Sequence, residues 1–131
     1  MKITKTTVCS PYIFSKVEQF DSIFLEELPS FFRSKEYGGS VKEIIYTEFF
    51  VHDDQPDSNK VSYDQEKNML VCIIQPEFKK VRNSNPNRFG KLLAKTYMES
   101  SKQFSILKLQ DFEFKKYIAD LEIFFTQHQL L

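Results

Sequence analysis

The chain has 131 residues, 41% apolar and 27% charged, with a formal net charge of zero. A chain of that length builds a core without a metal or disulfide, and the balance of apolar and charged residues excludes a disordered one. No run approaches the ~18 apolar residues of a membrane span. Two cysteines, Cys9 and Cys72, make no disulfide framework, and the segment Met1 to Cys9 lacks the apolar stretch of a secretory leader. The reading is one domain over residues 1–131, cytoplasmic, with no cofactor.

Residues 2–8 alternate weakly and carry Thr and Val, which predicts an N-terminal edge strand. Residues 10–20 hold two signals, Ser10-Pro11 as a helix start and the alternation of Tyr12 to Phe20, and stay open between them. With Asp21 as its cap, a helix follows in which Phe20, Ile23, Phe24 and Leu28 recur at helical spacing. Pro29 predicts a kink or restart, Phe31 and Phe32 continue the apolar face, and Gly38-Gly39 ends it. Val41 to Val51, Lys60 to Asp64 and Met69 to Ile74 read as three strands of an antiparallel meander spanning 41–76. The unbroken apolar run of the third predicts burial on both faces. Gln65 to Asn68 make its hairpin turn, Asn68 being a type that tolerates the left-handed conformation.

Asn85 as N-cap with Pro86 at the first helical position opens the best-marked helix. Phe89, Leu92, Leu93, Thr96 and Tyr97 form its buried face, and Ser100-Ser101 lets it end. Phe104 to Leu109 reads as a further strand, and Asp111 caps a last helix with Phe114, Tyr117, Ile118, Leu121, Phe124 and Phe125 inward. The fold class is α+β: a mainly antiparallel sheet, formed by the meander, a strand near 104–109 and an N-terminal edge strand, packed with about three helices. The apolar end, Phe124 to Leu131, packs on the protein's own sheet, with a homodimer seam through the C-terminal helix as second reading.

No motif carries catalysis. Three glycines, Gly38, Gly39 and Gly90, make no phosphate-cradling loop, and Cys72 inside an apolar strand is a closed thiol. His52, Asp53, Asp54 and Asp57 offer metal-ligand atom types without a metal-site spacing, and an acidic loop explains them better. A small enzyme with an acid/base site assembled in three dimensions is the third functional reading, and it requires a deep pocket of convergent polar groups.

Charge is segregated along the chain. Residues 41–78 hold eight acids against three bases, and residues 79–108 eight bases against Glu99 alone. The acidic candidates for partner binding are Asp53, Asp54, Asp57, Asp64 and Glu66, facing a basic protein surface. The alternative is an anionic-partner patch of Lys79, Lys80, Arg82, Arg88, Lys91 and Lys95, for nucleic acid or an acidic protein. A solvated helix face accounts for those bases more simply, since any amphipathic helix must carry one.

Leu28-Pro29, the pair Phe31-Phe32 and Gly38-Gly39 resemble the amino-terminal signature of the SUKH superfamily of bacterial toxin-immunity proteins, over residues 18–41. More broadly the chain resembles small bacterial immunity proteins in general form. The resemblance implies a cytosolic, non-enzymatic α+β domain that neutralises a secreted toxin by tight protein–protein binding. It transfers no functional residue.

Overall fold

The computed structural model describes residues 1–9, 19–50, 60–76 and 84–131. Strand β1 (Lys2–Cys9) is followed by helix α1, which runs as a π-helix over Ser22–Glu27 and as an α-helix over Leu28–Phe32. Then come β2 (Glu43–Phe50), β3 (Val61–Asp64) and β4 (Met69–Ile74). Helix α2 (Pro86–Lys102) continues into a 3-10 helix (Gln103–Leu107), and α3 (Phe114–Gln127) completes the order. Among the described residues the expected α+β class with three helices is present.

The sheet is not the expected antiparallel one. Its order is β1-β2-β4-β3, with β1 parallel to β2, β2 parallel to β4, and only β3–β4 antiparallel. The tight turn at 65–68 forces the antiparallel hairpin, and Asn68 takes the left-handed conformation there (φ 54°). β2 pairs with β4, and β3 becomes a short edge. The predicted N-terminal edge strand is β1.

One face of the sheet carries the core. Ile3 and Lys5, Ile44, Tyr46 and Glu48, and Leu70, Cys72 and Ile74 lie on it and are buried. The alternate residues Ile45, Thr47, Met69, Val71 and Ile73 are only half-buried. Burial of β4 on both faces is therefore corrected: helices cover one side, and β4 alternates like any half-covered strand.

Residues 104–109 form no strand. Phe104 is buried in the 3-10 helix, and Lys108 closes it in the left-handed conformation (φ 48°). Two apolar residues at spacing two satisfy a strand pattern, but Ile106 stays 68% exposed. Helix α1 also departs in detail. Asp21 makes no cap bond and Phe32, not Gly38, is the last helical residue, while Pro29 falls in the first turn of the α-helical part. The wide π turn ahead of it absorbs the missing N–H, the Leu28 N–H reaching back five residues to Ile23 O. Gly38 (φ 72°) packs so tightly that a Cβ would stand 2.6 Å from the Asp111 carbonyl oxygen. Asp111 is not the cap of α3, whose N-cap position is Glu113.

Helix α2 begins as expected, Asn85 Oδ1 accepting from the Arg88 N–H at 2.8 Å. It passes Ser100 and Ser101, both buried, before it ends. The helices bury aromatic rings against one another: Phe24 meets Tyr97 at 4.8 Å and Phe125 at 5.8 Å, and Phe32 meets Tyr117 at 5.3 Å. Phe124, Phe125 and Leu130 pack into this core, the first of the two readings of the C-terminal run.

Candidate partner-binding surface

Of the acidic candidates, Asp64 and Glu66 lie at the β3–β4 turn. Asp64 Oδ1 accepts the backbone N–H of Glu66 at 3.0 Å and of Lys67 at 3.2 Å, an Asx-type turn that shapes the hairpin. Tyr63 OH donates to Asn68 Oδ1 at 3.1 Å across the same turn. Asp64 thus has a local structural role, and Glu66 is exposed beside it. Asp53, Asp54 and Asp57, with His52, lie outside the described residues.

On the basic side, Arg88, Lys91, Lys95 and Lys102 are exposed along one side of α2. The opposite side buries Phe89, Leu93, Ala94 and Tyr97. Among the described residues no ion pair engages Arg88, Lys91 or Lys95. Their charge is turned to solvent, as both the partner-patch reading and the solvated-face reading require. Lys79, Lys80 and Arg82 lie outside the described residues. No group of three His, Cys, Asp or Glu side chains that could hold a metal occurs among the described residues.

The sequence reading missed a buried charge cluster. Lys5 Nζ lies 3.3 Å from Glu48 Oε2 and 3.1 Å from Asp21 Oδ1, with the Lys5 and Glu48 side chains almost wholly buried. Thr7 Oγ1 donates to Glu48 Oε2 at 3.1 Å, and Tyr97 OH donates to Glu48 Oε1. Burial pushes the Glu48 carboxyl above its usual range, while Lys5 and the hydroxyl donors pull the other way. Both carboxylate oxygens are engaged and enclosed, so the cluster works as a clip joining β1, β2, the start of α1 and α2. Its signal was Lys5 sharing strand parity with Ile3, which a weak edge pattern hid. Nearby, Tyr46 OH bonds Ser101 Oγ at 2.8 Å and the Tyr117 hydroxyl. Cys72, behind Tyr46, is a buried free thiol whose pKa burial pushes up to about 12.

The domain presents charge on its hairpin turn and along α2, over a core closed by aromatic packing, which is the form of a small binding domain. Its family follows from comparison with known proteins: the profile of Immunity protein 44 matches residues 1–127, and the chain belongs to that family. It is accordingly an immunity protein, a toxin-neutralising binder and not an enzyme. The finer SUKH assignment of residues 18–41 gains no support from the match. No curated protein and no solved structure matches the chain. No helix among the described residues is long and apolar enough to cross a membrane.

Proposed function

We propose that this immunity protein works in the cytosol by covering the active or substrate-binding surface of its cognate toxin in a direct protein–protein complex. The observation that carries the reading is the family match across residues 1–127. Asp64 and Glu66, with Asp53, Asp54 and Asp57 of the neighbouring sequence, supply the acidic part of the contact and face a basic toxin surface. Charge segregation along the chain and the exposure of Glu66 support that part. The test is co-expression with the cognate toxin domain. Wild type restores growth and co-purifies with the toxin. The Asp53→Asn, Asp54→Asn, Asp57→Asn triple variant with Glu66→Gln associates more slowly, and less so as salt rises. Unchanged association at low salt removes the acidic contact.

A second reading is favoured by the exposure of Arg88, Lys91 and Lys95 outside any ion pair among the described residues. Together with Lys79, Lys80 and Arg82 they would bind an anionic partner, nucleic acid in the simplest case. That reading requires retention on heparin at low salt and steep release as salt rises. Passage through heparin at low salt excludes it.

A further inference from the structure

Ile106, 68% exposed, stands beside the buried Phe104 on the same short 3-10 helix. Next to it an open groove runs between that helix and α3, floored by the half-buried Phe114 and Ile118 and edged by Lys102, Lys115 and Glu122. We propose that this groove anchors an apolar side chain of the cognate toxin, carried on an acidic segment whose carboxylates meet Lys102 and Lys115.

The proposal rests on the toxin-binding reading above and adds the place and chemistry of the contact. Charge sets the occupant: the exposed Lys102 and Lys115 line the groove, with Glu122 the opposing charge on its edge, so a complementary segment is acidic. The apolar floor sets it further, because a nucleic acid would use the lysines but leave Phe114 and Ile118 without a role. Continuity with the hairpin supports the same place. Leu107, Lys108 and Leu109 share a second depression with Tyr63 and Gln65, so the 3-10 helix adjoins the turn that holds Asp64 and Glu66. A toxin seated on the turn is within reach of the groove. An apolar anchor in a pocket ringed by charge is the usual make-up of a binding hot spot.

The experiment titrates the purified cognate toxin domain against wild type, Ile106→Glu, and the Lys102→Glu/Lys115→Glu double variant. Ile106→Glu should keep the wild-type unfolding midpoint, since its side chain touches little, and weaken Kd about 30-fold or more. The lysine variant should slow association about 10-fold at low salt, with the gap closing as salt rises. If Ile106→Glu unfolds, Ala119→Glu, exposed on the α3 wall of the same groove, replaces it. Wild-type binding with full affinity retained by the groove variants overturns the groove and leaves the toxin-binding reading standing. No binding by wild type overturns both. A wild-type dimer dissolved by Ile106→Glu, or DNA binding lost in the lysine variant, gives the groove to another occupant and overturns the proposal.

Discussion

Replacing Lys5 by Met removes one charge from the buried clip and leaves the stem volume nearly intact. Lys5 and Glu48 have side chains only 1% and 0% exposed, with Nζ 3.3 Å from Oε2. At an effective dielectric of ~20 that separation corresponds to an attraction of about 5 kcal/mol, opposed by the cost of desolvating both ions. Taking away one partner leaves the other charge buried, which costs about 3–5 kcal/mol. Asp21, 39% exposed, is rehydrated and adds little. Thr7 and Tyr97 still donate to Glu48, which places the expected loss near the lower end, about 3 kcal/mol. Urea unfolding at pH 8 reads it as a midpoint lowered by ~1–2 M at unchanged slope. The double variant Lys5→Met/Glu48→Gln should recover most of the loss, because no buried charge remains. A single variant that loses under ~1 kcal/mol, or a double variant no better than the single, would refute the clip.

Because the folded-state pKa of Glu48 is raised, the folded chain holds that proton more tightly than the unfolded one. Its contribution to stability is therefore fullest below the unfolded value of 4.5 and is lost as pH rises through the raised folded value. Wild type should lose ground to Glu48→Gln over that window in urea titrations, and a flat difference would contradict the sign. Cys72 should resist thiol reagents at pH 8 in folded Cys9→Ser protein and react once urea unfolds it; fast labelling of the native state would show an open strand. Gly38→Ala should cost about 2–4 kcal/mol by thermal unfolding, through its left-handed backbone and its clash with the Asp111 carbonyl; an unchanged midpoint would mean that this turn yields. Leu70→Asp should abolish folding while the half-buried Ile73→Asp leaves a cooperative transition, and equal losses would show that both faces are sealed.

What was legible in the residues is what short-range chemistry decides. Asn85-Pro86 marks a helix start because cap and fixed φ act within one turn, and Asn68 marks the hairpin for a similar local reason. The inward face of α3 was legible from Tyr117, Leu121, Phe124 and Phe125, whose spacing no other element satisfies. Strand partners were not legible. Whether β2 meets β3 or β4 depends on packing between distant segments, and the apolar runs of β2 and β4 allow either. The stretch 104–109 misled because Phe104 and Ile106 alternate like a strand while only Phe104 is buried. For the surface, the exposure of Arg88, Lys91 and Lys95 on α2 was readable from helical phase. The groove over Phe114 and Ile118 was not, because it exists only where the 3-10 helix meets α3.

The parallel pairing of β1 with β2 shapes how the chain reaches its fold. Lys2 lies opposite Glu43, so joining the strands closes a loop of roughly 40 residues, against a four-residue turn for β3–β4. Loop closure therefore favours formation of the hairpin ahead of docking of the amino-terminal strand. On the ribosome β1 emerges before β2 and waits for it. Until β2 arrives and Glu48 meets it, Lys5 is an exposed cation that keeps the unpaired strand in solution. The same lysine that clips the finished sheet thus guards the strand against premature association while the chain is being made.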